Sequence, residues 1–162
     1  MAYINPAPGT ANQVTLSLEV ASNENDITQA SGLSIPALQD MTINAANDVF
    51  TWSQLDSTAK KQVATTSTNS ISMNVVVDQA TFFGTVLAAA VTGTMAEQGL
   101  FGCSRNKTLI NFIIRVENST VDTFIKGTGY ITGLAPTVTA DAPVWVSPVT
   151  ITVTGEYTVA AT

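Results

Sequence analysis

The amino-acid sequence predicts a mainly β protein, an antiparallel β-sandwich or half-barrel with one flanking α-helix. Three observations carry that prediction. Several runs alternate apolar and polar residues with the period of two that a half-buried strand requires. The chain is rich in Thr, Val, Ser and Asn while only 11% of it is charged, whereas helical surfaces usually carry more Glu, Lys and Arg. The period changes to 3.6 in one place only, after Asp78.

Length and composition bound the rest. The 162 residues, 45% of them hydrophobic, are expected to form one domain over 1–162 that buries its own core. Twelve acids against six bases give a net charge of −6, which argues against a dedicated nucleic-acid grip built from clustered Lys and Arg. A single cysteine, Cys103, excludes an intramolecular disulfide, fits a reducing compartment and is expected to be inert. The start MAYINPAPGT lacks the basic and apolar regions of a secretory signal. The apolar run Ala80 to Ala96 is interrupted by Gly84, Thr85, Thr92, Gly93 and Thr94, which makes it a poor membrane span. A soluble cytoplasmic product is expected.

Taken in order, residues 1–13 read as an irregular N-terminal arm containing Pro and Gly. A first strand is expected at Val14 to Val20, where Val14, Leu16, Leu18 and Val20 alternate with Thr15, Ser17 and Glu19. Ser22 to Asp26 reads as a polar turn. From Ile27 to Asn47 the pattern is weak, with short strands around Ile27 and around Met41 to Ile43. Asp48 to Thr68 is mostly polar and reads as a long loop carrying Phe50, Trp52, Lys60 and Lys61. Alternation returns at Ser70 to Asp78, with Ile71, Met73, Val75 and Val77 on one face.

From Gln79 to about Gln98 the spacings of Phe83, Leu87, Ala90 and Val91, and of Phe82, Val86 and Ala89, predict a helix lying against a sheet. Asp78 would be its N-cap and Gly99 its stop. A strand is expected at Thr108 to Glu117, turning at Asn118-Ser119-Thr120 into a second at Thr123 to Thr132, a natural hairpin. A polar excursion with Pro136, Asp141, Pro143 and Pro148 separates this from Val149 to Val159. That last run, with Val149, Ile151, Val153, Tyr157 and Val159 opposite Thr150, Thr152, Thr154, Glu156 and Thr158, is the plainest strand in the chain.

Catalytic constellations are missing. With no histidine there is no usual general base, no common zinc ligand and no Ser/His/Asp or Cys/His arrangement. Gly127, Gly129 and Gly133 lie in a strand pattern without a GK[ST] ending, so they read as bulges or close packing and not as a phosphate loop. Glu117 and Asp122 bracket a hairpin turn and read as solvated. Lys60 and Lys61 read either as a solvated loop or as a contact to an acidic neighbouring subunit. Trp52 and Trp145 lie outside the clearest strands, where exposed aromatics mark interfaces or cap a core. No enzyme, metal or cofactor is expected.

The succession STVDTF, Gly127-Thr128-Gly129-Tyr130-Ile131, TVTADAPV and VTITVTGEY resembles the carboxy-terminal half of the major tail tube proteins of long-tailed, lambda-like bacteriophages. The upstream order ISMNVVVD, QATFFGTVLAAAV and LINFIIRVEN agrees, so the resemblance covers about Ser70 to Tyr157. It implies a structural subunit of hexameric rings whose strands join into one β-barrel, stacked into a tube that conducts DNA. Its implied partners are further copies of itself, a tape measure protein and tail terminator or baseplate proteins, with a sheath left open. Its implied location is the virion tail, after synthesis in the host cytoplasm. Polar strand faces then offer lumen-lining candidates: Ser72, Asn74, Asn111, Arg115, Glu117, Thr152, Thr154 and Glu156, an acid- and hydroxyl-rich bore past which phosphate slides. Asp48 to Thr68 resembles the family's extended inter-subunit loop, which makes Phe50, Trp52, Lys60, Lys61 and Trp145 contact candidates. The alternative is a monomeric β-sandwich binding module, an adhesin or sugar-binding domain using Trp52 and Trp145 as its platform.

Overall fold

The computed structural model describes residues 14–35, 38–56, 58–86, 88–117 and 121–161. The N-terminal arm and the Asn118-Ser119-Thr120 turn lie outside the described residues. Among the described residues, eight strands form one antiparallel sheet. They are β1 (Val14–Val20), β2 (Leu33–Ser34), β3 (Leu38–Ser53), β4 (Lys60–Val76), β5 (Ile110–Val116), β6 (Thr123–Leu134), β7 (Thr137–Thr139) and β8 (Ala142–Ala161). The order across the sheet is β2-β1-β5-β6-β8-β4-β3, with β7 paired to the start of β8. The half-barrel alternative is therefore the observed one, a single open sheet and not two stacked ones.

Period-two alternation translates directly into this arrangement. Leu16, Leu18, Ile110, Phe112, Ile114, Ile131, Val149, Ile151, Val153, Ile71, Met73 and Val75 converge from five strands on one core. The registers hold them on one face: Leu18 pairs with Phe112 and Phe112 with Gly127, while Ile131 pairs with Ile151 and Ile151 with Ile71. Gly127 is needed because a Cβ there would stand 2.7 Å from the Phe112 ring. The strands expected at Val14 to Val20, Thr108 to Glu117 and Thr123 to Thr132 are present to within two residues at their ends, while those expected at Ser70 to Asp78 and Val149 to Val159 begin ten and seven residues earlier, at Lys60 and Ala142.

The helix is not where the 3.6 spacing put it. Residues 79–83 form one short π-helical turn (Gln79–Phe83), and the helix proper, α1, spans Met95–Asn106. Asp78 does cap the turn, its carboxylate accepting from the Thr81 backbone N–H and hydroxyl at 3.1 and 3.0 Å. Those bonds hold its pKa below the ordinary carboxylate value, the backbone bond contributing most. The true helix start is a capping box: the Thr94 N–H donates to the Glu97 carboxylate at 2.7 Å, and the Glu97 N–H donates to the Thr94 hydroxyl at 3.3 Å. Gly99, expected as a stop, sits inside α1 as a kink with φ 65°. There its backbone crosses that of Gly84, itself at φ 80°. A Cβ on Gly99 would lie 2.3 Å from the Gly84 nitrogen, and one on Gly84 would lie 2.1 Å from the Glu97 carbonyl oxygen.

This crossing seats Phe82, Met95, Leu100 and Cys103 in the core. Burial pushes the Cys103 thiol up to about 12, the inert cysteine the sequence implied. Phe82 thus does what was expected of it, packing against the sheet, although from a turn and not from a long helix.

Candidate assembly surfaces and lumen face

The largest departure from the sequence reading is residues 48–68. They form a hairpin arm and not a long loop: β3 and β4 run antiparallel from Leu38↔Val75 to Ser53↔Lys60, with an irregularity between Asn47 and Val49, and only the connection after Ser53 is outside the strands. Only the base of this hairpin belongs to the larger sheet, because β8 pairs with β4 from Val76 to Ser70 and no further. Beyond Ser70 the two strands continue as a free arm, exposed along nearly its whole length on both faces. An isolated two-stranded ribbon is marginally stable in water.

Two side chains pin the arm at the fork where it leaves the sheet. Asn69 donates to the Gly155 carbonyl at 2.8 Å. The Tyr157 hydroxyl lies 2.9 Å from the carbonyl oxygens of both Asn44 and Ser70, while its ring packs edge-on against Phe112 at 6.1 Å. Burial raises the Tyr157 pKa above its ordinary value.

At the far end of the arm Phe50 stacks on Trp52 with ring centroids 5.9 Å apart. Val63 is opposite Phe50, and Lys61 opposite Trp52. Phe50 is 59% and Val63 49% exposed, an apolar patch with no layer of its own in the subunit. Lys60 and Lys61 are strand residues here and exposed. The remaining contact candidate, Trp145, lies on β8 at the opposite end of the sheet, 44% exposed. With Val77, Gln79, Phe83 and Gly84 it lines a groove of ≈ 370 Å³. The excursion that leads to it is ordered, β7 pairing with the first residues of β8.

The lumen candidates on strands lie on the face opposite the core, but in different surroundings. Ser72 and Asn74 on β4 pair with Thr150 and Pro148 on β8, and with Thr42 and close to Asp40 on β3. One row runs Tyr130, Thr152, Ser70, Asn44 across β6, β8, β4 and β3. This patch is a field of hydroxyls and amides in which Asp40 accepts from the Asn74 side chain at 2.9 Å and Thr132 and Thr152 hydroxyls meet at 2.8 Å. Thr154 continues it, half-buried, toward Glu156, which is exposed beside the bulge at Gly155.

Asn111 leaves the candidate set. It is fully buried, because residues 21–32 fold over this part of the face: Gln29 donates to the Asn111 side-chain oxygen at 2.7 Å, and Asn111 donates to the Thr28 carbonyl at 3.2 Å. Thr128 is buried by the same segment through the Glu24 carbonyl. Arg115 and Glu117 lie at the far end of β5. Arg115 binds Asp122 at 2.7 Å more closely than Glu117 at 3.8 Å, and the Asp122 bond raises the Arg115 pKa. Glu117 and Asp122 are thus joined through a guanidinium and are not an acid pair.

Among the described residues no group of three or more His, Cys, Asp or Glu could hold a metal ion, and no helix is long and apolar enough to cross a membrane. No protein-family model and no curated protein matches the chain. Solved structures do. The tail of an empty gene transfer agent particle with C6 symmetry superposes with TM-score 0.66 at 11% identity, covering 95% of this chain and 100% of that one. The chain has the tail-tube fold. The SPP1 tail tube agrees, with TM-score 0.66 and 11% identity over 96% of this chain and 80% of that one. A tube terminator of an extracellular contractile injection system gives TM-score 0.61 and 13% identity over 98% and 100%. The tail-tube fold spans the amino-terminal third as well, beyond the carboxy-terminal segments that carry the sequence resemblance.

Proposed function

We propose that this protein is the structural subunit of a virion tail tube, in which six-membered rings stack and conduct DNA. The observation that carries the proposal is the pairing of the tail-tube fold with unsatisfied edges on either side of one polar four-strand face. The outer side of β3 pairs, among the described residues, with nothing, and the β5 ladder stops at Gly129, which leaves Tyr130 to Leu134 paired with β8 alone. Long open edges invite pairing with another chain. Joining β3 of one copy to the free part of β6 in the next would continue the sheet and close it as a ring.

Six copies of four strands, spaced about 4.8 Å and tilted about 40°, give a barrel roughly 50 Å across between backbones. The interior would present Ser72, Asn74, Thr152 and their neighbours. Hydroxyls and amides without a cluster of Lys or Arg offer phosphate nothing to displace its counterions for, so DNA can slide. Phe50 and Trp52 on the arm, with Lys60 and Lys61, would contact an adjacent copy and complete a ribbon that has no partner in the subunit. A tape measure protein, terminator and baseplate belong to the same proposal.

The test is negative-stain electron microscopy with light scattering across a concentration series, beside a variant in which residues 50–63 are replaced by Asn-Gly to close the hairpin early. Hollow six-fold rings or tubes from the parent, and a folded variant that does not polymerise, are expected. A parent chain that stays monomeric throughout overturns the proposal.

A further inference from the structure

The two exposed aromatic patches stand at opposite ends of the same strand. β4 runs 17 residues from Lys60 to Val76, roughly 50 Å at the rise of an extended chain. The arm tip with Phe50, Trp52 and Val63 lies at its start. The groove of Val77, Phe83 and Trp145 lies just past its end, held there by the Val77 N–H donating to the Trp145 carbonyl at 2.9 Å. Patches so far apart along one extended ladder do not meet within a copy.

From this we infer that the arm tip of one copy docks in the Val77/Phe83/Trp145 groove of a copy in the next ring. The inference rests on the tail-tube reading and adds the receiving site to it. The tip is apolar and exposed; in the groove Trp145 is exposed and Val77 and Phe83 are half-buried, and its ≈ 370 Å³ is of a size to take an aromatic side chain. Lys60 and Lys61 flank the tip, whose turn also carries Asp56, and the acids nearest in the chain to the groove are Asp78, next to Val77 and Gln79, and Asp141, four residues before Trp145. A tip meeting a groove is a heterologous contact, and with its two halves at opposite ends of one strand it repeats head to tail along that strand's direction. It therefore propagates along the strand direction and supplies axial growth, whereas edge pairing of β3 and β6 closes each ring. The two kinds of contact are separate, and each patch is used once per copy.

Cross-linking the full-length chain tests this. Lys61→Cys and Gln79→Cys place thiols beside the tip and the groove, and a short bis-maleimide bridges them. The buried Cys103, with its thiol pushed up to about 12, gives no background, as the parent chain verifies. In assembled samples the double variant should give a ladder of covalent oligomers. A mixture of the two single variants should give dimers, and each single variant alone should give none. Trp145→Ala should raise the critical concentration at least tenfold, and combining it with Phe50→Ser should add little, because both remove the same contact. Tubes that form without cross-links, self-linking of Lys61→Cys alone, or fully additive effects overturn the groove assignment while leaving the tube reading intact. A parent chain that forms neither rings nor tubes overturns the tube reading itself and the groove with it.

Discussion

Replacing Phe50 by Ser should separate folding from assembly. Phe50 is 59% exposed in the subunit, which for a side chain of about 200 Å² leaves roughly 120 Å² still in contact with water. Covering that area in an interface would contribute about 3 kcal/mol at 25 cal/mol per Å². Each added subunit makes the contact once, so the critical concentration for tube growth should rise roughly 100-fold. Within the monomer the change removes the stack on Trp52, worth about 1 kcal/mol, and the cross-strand contact with Val63. That loss falls at the end of an arm whose opening is local, so the global melting temperature should move by no more than a few degrees.

The assay is sedimentation of polymer against total concentration, with thermal melting of the unassembled chain as control. A critical concentration within threefold of the parent would refute the assignment of the patch to an interface. So would a melting temperature that falls in proportion to the assembly defect, because Phe50 would then belong to the subunit's own fold.

Three further outcomes follow from the geometry. Gly99→Ala combines a left-handed φ of 65° with backbone atoms 2.3 to 2.8 Å from the new Cβ. It should cost more than about 3 kcal/mol, seen as loss of most of the folded chain in a denaturant titration. Tyr157→Phe removes the hydroxyl that reaches Asn44 and Ser70, at about 1 kcal/mol. It should speed amide hydrogen exchange in the arm more than in β5 and β6. Asp78 has its pKa lowered from 3.8 in the folded state, so its cap stabilises fully above that value and the gain is lost as pH falls through the folded-state pKa. The stability difference between the parent and Asp78→Ala should therefore be constant from pH 5 upward, the limit of about one unit above the unfolded pKa, and should shrink in more acid solution. Equal differences at neutral pH and well below 3.8 would show that the carboxylate is not the stabilising group.

Strands with one face in the core were legible in the sequence, because burial writes alternation into the residues: Leu16 and Leu18, Ile110 to Ile114, Val149 to Val153. Helical spacing alone misplaces the helix because it carries no information about breakers. Phe83, Leu87, Ala90 and Val91 do recur at helical intervals, yet Gly84, Thr85, Thr92 and Gly93 stand among them. Thr94 and Glu97 three residues later, the capping box that starts α1, were there to be read. Asn111 could not have been found from its neighbours. Its place on a polar strand face is real, but what covers it comes from Thr28 and Gln29, more than 80 positions away.

The arm was missed for a different reason, which bears on what it does. Residues 44–53 and 60–68 carry no two-fold pattern since neither of their faces is buried in the subunit, and a strand without a buried face has no cause to alternate. A free loop of that composition would have no reason to hold Phe50 and Trp52 on one side, two positions apart and stacked, with Val63 across from them. Side chains so placed satisfy a constraint that the single chain does not impose. On the proposed tube reading, the absence of pattern along the arm and the presence of order at its tip are the same fact: the segment is shaped by a surface on another copy. The fork that Asn69 and Tyr157 close serves that end by fixing the direction in which the arm leaves the sheet.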